Sequence, residues 1–225
     1  MPSGRTQAPS PLYLNCNFVR FFAAVFRGIC RKAGKIIVWS AHPRQGSLSD
    51  ALAEAYAARA EDRGAEVRVQ KLSDMAFDAE FPGYKGGARE LEPDLQNWQE
   101  NISWADHLFF VHPYWWGAMP GRAKVVLDRA LLPGFGFKYR DKGLMWDKLL
   151  TGKTADAMIT SDTPPWYDTL VYRKPARRVI KNQVFGFCGV DVKKVVQIGP
   201  IKTSPPEKIQ GWIAKARQMG ARAAR

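Results

Sequence analysis

Apolar and polar positions over residues 35–220 follow two periods in turn. Short apolar runs occur in KIIVWS (Lys35 to Ser40) and LFFV (Leu108 to Val111), EVRVQK (Glu66 to Lys71) alternates with a period of two, and KTADAMIT (Lys153 to Thr160) and Val192 to Ile198 are further strand-like segments. These five segments read as strands, the first and third in chain order buried. Between them, apolar residues recur at helical spacing: Leu52, Tyr56 and Ala60; Leu95, Trp98 and Ile102; Met119, Ala123, Val126, Leu127 and Ala130; Ile209, Ile213 and Ala216. Boundary residues agree. Ser49 suits an N-cap, Gly64 a helix end, Pro120 a first turn, and Ser204-Pro-Pro-Glu207 a helix start. Asp168 to Gly186 reads as a helix whose start Pro175 delays or kinks. Leu72 to Ala88, Pro133 to Gly152 and Ser161 to Asp168 read as loops. Five strands alternating with helices predict an α/β domain, a parallel sheet with helices on both faces, in strand order 2-1-3-4-5.

Residues 1–34 stand outside this pattern. The Pro/Ser-rich start reads as disordered, and FVRFFAAVFRGI (Phe18 to Ile29) is too short and too interrupted by Arg20 and Arg27 to span a bilayer or form a signal-peptide core. Three readings stay open: a basic amphipathic surface helix, an unstructured leader, and an extension from a misassigned start codon. The domain proper is expected over 35–225. Net charge changes the picture in the same place. Of the +13 total, residues 1–49 contribute seven basic residues and no acid, so the remainder carries only +6. A mildly basic body suits an anionic small molecule. It does not call for nucleic acid, and no zinc-finger spacing or aromatic RNA-binding motif occurs. Cys16, Cys30 and Cys188 form no CxxC pair, which points to reduced thiols and a cytoplasmic location. His107 and His112, five apart on one strand, face opposite sides, so a histidine metal site is not expected.

Candidate chemistry gathers on the loops leaving the carboxyl ends of strands, where open α/β sheets bind ligands. After the third strand, His112-Pro113 breaks the apolar run and three aromatics follow, Tyr114, Trp115 and Trp116. They cannot all point inward from one turn. They form a platform for a planar, polar-edged ring system. After the first strand, His42 to Ser49 supplies a Gly/Ser turn and a helix N-terminus, which reads equally as a plain strand-to-helix turn with a serine cap or as an anion site in which Ser47, Ser49, Arg44 and His42 can add hydrogen bonds or charge. Neither GxxxxGK[ST] nor a dinucleotide-binding glycine fingerprint is present.

Over about four-fifths of its length the chain resembles the flavodoxin-like NAD(P)H:quinone oxidoreductases, a family that includes drug-activity modulators and ancillary subunits of potassium-efflux systems. The resemblance rests on Ala41-His42 with Ser47-Leu48-Ser49, on His112-Pro113-Tyr114-Trp115-Trp116-Gly117-Ala118-Met119-Pro120, and on Lys124, Asp128 and Arg129. Gly136-Phe137-Lys138-Tyr139, Leu150-Thr151-Gly152-Lys153 and Phe187-Cys188-Gly189 extend it. It implies a three-layer flavodoxin-like sandwich. It also implies bound FMN or FAD, with the flavin phosphate held by His42, Ser47, Leu48 and Ser49 and the ring lined by Pro113, Tyr114, Trp115 and Trp116. Thr160, Ser161 and Asp162 stand where many relatives carry Thr-Thr-Gly-Gly, and Asp162 is expected to cap the next helix. The implied reaction is hydride transfer from NAD(P)H through the flavin to a quinone or similar electrophile, with Tyr167, and less directly His112, polarising the acceptor oxygen. A homodimer whose partner subunit completes the site is implied as well, with the aromatic loops near 77–84 and 135–146 as its candidate interface. The potassium-efflux relatives suggest an alternative role as a regulatory subunit of a membrane transporter, docked through the basic leader.

Overall fold

The chain was analysed as a computed structural model that describes residues 34–81, 83 and 90–224. The expectations for residues 1–33, and for the loop tip at 84–89, lie outside the described residues.

Strand β1 (Lys35–Ser40) leads into helix α1 (Leu48–Glu61), β2 (Glu66–Lys71), α2 (Pro93–Trp104) and β3 (His107–Pro113). Then come α3 (Gly121–Ala130), a two-stranded hairpin of β4 (Phe137–Tyr139) and β5 (Trp146–Lys148), and β6 (Thr154–Thr160). A short α4 (Pro165–Leu170) precedes α5 (Pro175–Arg178), which continues through a π-helical stretch, Val179–Phe185, to a last turn at Gly186–Cys188. Strand β7 (Asp191–Ile198) and α6 (Pro206–Ala223) complete the described chain. The main sheet is parallel throughout, in order β2-β1-β3-β6-β7. Counting only its five strands, that is the predicted 2-1-3-4-5.

Alternate strand residues feed two cores, as the two-residue period requires. Ile36, Val38, Phe109, Val111 and Met158 pack against α1 and α6. Ile37, Trp39, Leu108, Phe110 and Ile159 pack against α2, α3 and α5. Trp39 stacks on Phe110 at 4.7 Å between centroids and meets the edge of Trp98 at 5.2 Å. The helical stripe Leu95, Trp98 and Ile102 is fully buried. The two histidines of β3 fall on opposite faces, as expected: His107 contacts Tyr56 of α1, and His112 contacts Phe110 on the other layer.

Three local expectations need correction. Ser47, not Ser49, is the N-cap of α1: its hydroxyl accepts the Asp50 N–H at 3.2 Å, and the Asp50 carboxylate accepts the Ser47 N–H at 3.0 Å. This reciprocal box satisfies two helix-end donors that a cap at Ser49 would leave open. The stretch Pro133 to Gly152 is not all loop. It holds the β4–β5 hairpin, whose three-residue strands are too short to show a period. Asp168 to Gly186 is not one helix: α4 begins at Pro165, inside the stretch Ser161 to Asp168 read as a loop, and ends at Leu170. Pro175 has no N–H and disfavours helical geometry in the residue before it. Arg173 and Lys174 adopt φ of 58° and 60° there, and the chain turns before α5 begins.

Candidate functional site

Because the sheet is parallel, the loops after β1, β3, β6 and β7 all leave one edge. There they enclose a cleft of about 330 Å³ lined by His42, Arg44, Leu48, Ser49, Pro113, Tyr114, Trp115, Thr160, Ser161, Asp162, Thr163, Ile201 and Lys202. A second cavity of about 460 Å³ shares Tyr114 and Thr163 with it and adds Trp116, Gly117, Tyr172 and Pro175. Both volumes fall in the range of small-molecule sites.

One wall of the cleft is the β1–α1 turn. The N–H groups of Leu48 and Ser49, in the first turn of α1, have no intrahelical acceptor by helix geometry, and the helix dipole adds positive potential. The Ser49 hydroxyl is buried and has no protein partner. Arg44 contributes charge from the same wall. The Arg44 N–H donates to His42 Nδ1 at 3.0 Å, which leaves Nε2 as the protonated nitrogen of the neutral ring. Burial, then the neighbouring Arg44, lowers the His42 pKa. Asp50, the acid nearest this turn, is occupied by Ser40 Oγ at 2.6 Å and by the Ser47 N–H.

The opposite wall is the aromatic turn after β3. The Tyr114 N–H donates to Thr160 O at 2.8 Å, fastening the turn to β6. Trp116 and Gly117 then occupy the two central positions of a tight hairpin turn with φ of 50° and 78°. Glycine takes such a conformation freely; for Trp116 it costs about 1–2 kcal/mol. Trp115 is 45% exposed, and Trp116 is 104% exposed. Outward-facing tryptophans on a strained, hydrogen-bonded turn are a rigid apolar surface presented to solvent. Behind them, the Tyr114 phenol donates to Asp168 Oδ1 at 2.9 Å. Burial and that carboxylate hold its pKa far above the ordinary phenol value.

The floor comes from the loops after β6 and β7. Ser161 Oγ accepts the Thr163 N–H at 2.9 Å, and the Ile201 N–H donates to Ser161 O at 3.0 Å. Asp162 does not cap α4, whose N-cap position is Pro164. Its Oδ1 accepts the Lys202 N–H at 2.7 Å and ties the two loops together.

Ten of the residues singled out from sequence therefore line one cleft: His42, Arg44, Leu48, Ser49, Pro113, Tyr114, Trp115, Thr160, Ser161 and Asp162. Trp116 lines the adjoining cavity. Ser47 acts from behind the wall as the helix cap. Tyr167 lines neither cavity; its ring meets Tyr172, which does, at 5.1 Å between centroids. His112 lines neither and is wholly buried. Its Nδ1–H donates to Pro113 O at 2.7 Å, and burial lowers its pKa to about 4. It buttresses the turn and does not reach the cleft. Ile201, Lys202 and Tyr172, which line the cavities, and Asp168 and Arg177, which stand behind Tyr114, gave no signal in the sequence, because each comes together with the site only through the tertiary fold. Among the described residues, no group of three or more His, Cys, Asp or Glu could hold a metal ion. No helix of the described residues is long and apolar enough to cross a membrane.

A family model described as a flavodoxin-like fold matches residues 34–221. The chain belongs to the flavodoxin-2 family. Among the relatives of this flavodoxin-2 chain, a Penicillium crustosum protein named ribosyldihydronicotinamide dehydrogenase-like is 29% identical over 153 residues, 56% of this chain and 57% of that one. The chain thus spans little more than half the length of that relative. Rat NAD(P)H dehydrogenase [quinone] 1 is 24% identical over 210 residues, covering 79% of this chain and 74% of its own. An FMN-dependent NADH-azoreductase from Bacillus anthracis, solved in complex with FMN, superposes with a TM-score of 0.63 at 18% identity, over 85% of this chain and all of that one. At that identity the likeness is one of fold.

Proposed function

We propose that this flavodoxin-2 protein is a flavin-dependent NAD(P)H oxidoreductase that passes hydride to a quinone or similar electrophile. One observation carries the reading: the Ser49 hydroxyl, buried and without a protein partner, sits in the first turn of α1 on the wall of a cleft whose other wall is an outward-facing aromatic turn. A buried hydroxyl left unpaired is costly, and a ligand acceptor or donor would satisfy it. The residues fit an FMN or FAD whose phosphate lies at Ser49, the Leu48 and Ser49 N–H groups, His42 and Arg44. The ring would lie against Pro113 to Trp116. Bound there, the flavin supplies reversible hydride acceptance and donation.

In this reading the chain's own groups orient and shield. His42 Nε2–H donates to the phosphate. Trp115 and Trp116 exclude water from one face of the ring. Tyr172, backed by Tyr167, lines the second cavity, which would admit nicotinamide and acceptor in turn, and its phenol would be the group to polarise an acceptor oxygen there. His112 keeps the Pro113 carbonyl in place. The names of the relatives and the FMN complex of the structural neighbour support the reading.

The proposal extends to a homodimer. Tyr139 and Met145 on the β4–β5 hairpin, with Leu144 between its strands, are exposed, at 60%, 62% and 97%. Beside them lies a separate cavity of about 450 Å³ lined by residues including Leu127, Leu131, Phe137, Val184 and Phe187. An apolar patch of this kind favours a protein partner. A cytoplasmic location is part of the same reading. The transporter-subunit alternative draws on no feature of the described residues.

The test is direct. Purified protein should carry, or take up, a yellow chromophore whose released mass identifies FMN or FAD, and should oxidise NADH or NADPH with menadione as acceptor. Protein that neither retains nor binds flavin and turns over no pyridine nucleotide would end this proposal.

A further inference from the structure

Asp168 lies outside both cavities and is 1% exposed, and side chains from two different elements converge on it. One carboxylate oxygen accepts the phenol of Tyr114, which belongs to the β3–α3 turn and lines both cavities. The other accepts Arg177 Nη2 of α5 at 2.6 Å. The chain between them is bent to allow this. Arg173 and Lys174 are consecutive left-handed residues, neither of them glycine, and the Lys174 N–H returns to Asp168 O at 3.0 Å. That bend brings Arg177 back over Asp168.

The arrangement is poorly made for stability alone. Arg177 uses the single nitrogen Nη2 for both Asp168 and Thr169 Oγ1, and its Nε is buried without a partner. A bidentate pair would satisfy two nitrogens at once. Burying a carboxylate and a guanidinium in this way gives little or no net stability, so the geometry it imposes is the more economical explanation. What it fixes is Tyr114, whose ring carries the strained Trp115–Trp116 turn at its other end.

We propose that Asp168 is the positioning residue of the site: through the Tyr114 phenol it holds the aromatic turn in its ligand-ready geometry, with Arg177 balancing its charge. The proposal rests on the flavin reading above. It goes beyond that reading by placing the control of flavin affinity on a buried carboxylate that the flavin does not touch. The clamp removes motion from the turn before the ligand arrives, so less freedom is lost on binding.

The experiment measures FMN and FAD dissociation constants by fluorescence, together with the Tm of the apo-protein, for the wild type, Tyr114→Phe, Asp168→Asn and the double variant. Ile102→Val in α2, remote from the cleft, serves as a stability-matched control. Tyr114→Phe keeps the ring and removes only the hydrogen bond, so it folds even where Asp168→Asn does not. The expected result is flavin affinity weaker by about tenfold in each single variant, the size of one lost charge-assisted bond. The double variant should be no weaker than the weaker single, and the control should bind as the wild type does at equal or lower Tm. Tyr114→Phe binding within twofold of wild type, or losses that multiply in the double variant, would overturn the clamp and leave the flavin reading intact. A wild type that binds neither flavin would overturn both.

Discussion

Trp115 and Ala118 exchange both backbone hydrogen bonds, at 2.9 and 3.0 Å, across a two-residue turn formed by Trp116 and Gly117. The ladder fixes the backbone, so Trp116 faces outward even though its own conformation is unfavourable. Trp116→Ala should therefore leave the Tm nearly unchanged and weaken flavin binding about tenfold, the scale of one lost aromatic stacking contact. Calorimetric titration of the apo-protein with FMN and FAD checks this. Gly117→Ala places a Cβ at φ 78° and should cost about 1–2 kcal/mol of stability as well.

Ser49→Ala makes the opposite trade. The hydroxyl has no protein partner, so its removal should hold or raise the Tm of the apo-protein. Flavin affinity should fall about tenfold through the loss of one hydrogen bond to the phosphate. Thermal melts with and without flavin separate the two effects, and a lowered apo-protein Tm with unchanged affinity would contradict the assignment.

Ser47→Ala should behave as the loss of a helix cap. Both partners of the box are buried, so about 1 kcal/mol of stability is expected to go. Urea unfolding followed by circular dichroism gives the number. The midpoint should shift with an unchanged slope.

Gly199 is where the loops after β6 and β7 touch. A Cβ there would stand 2.1 Å from Ser161 O, a backbone atom. Gly199→Ala should force those loops apart, cost about 2 kcal/mol and weaken flavin binding together with stability. Parallel measurement of Tm and flavin affinity distinguishes this variant from Trp116→Ala, in which only affinity changes.

Acid should unfold the protein through its buried histidines. Burial lowers the pKa of both His107 and His112 to about 4, so the folded state holds them neutral while the unfolded chain protonates near the ordinary histidine value of 6.5. Their contribution is complete above the unfolded value and is lost as pH falls from 6.5 toward 4. Each should add a slope of up to about 1.4 kcal/mol per pH unit within that window. Glu92, lowered to about 2 by Arg129, acts at more acid pH, between 4.5 and 2. His112→Gln should roughly halve the loss of stability between pH 6.5 and 4, read from urea midpoints across pH.

Much of this molecule could be read before any coordinates. The five strand segments and the stripe of Leu95, Trp98 and Ile102 became strands and a helix within a residue or two, because burial on one face or two leaves a pattern in the residues themselves. Pro113 to Trp116 announced a surface turn, since one turn cannot bury three adjacent large rings. The hairpin at 137–148 was not legible, because three-residue strands leave no period.

By itself, then, the sequence determined the parallel sheet, its order, and the two loops that face each other across the cleft, because these depend on local periodicity and on the direction each strand runs. Only the tertiary structure decided the partners. It assigned the cap to Ser47 and left Ser49 open to the cleft. It turned Asp162 toward the Lys202 N–H, and it joined Asp168 to Tyr114 and to Arg177 across 54 and 9 residues of chain. Hydrogen bonds between distant residues leave no trace in local spacing. They exist only once the layers have packed and the low-dielectric interior makes each unpaired polar group costly.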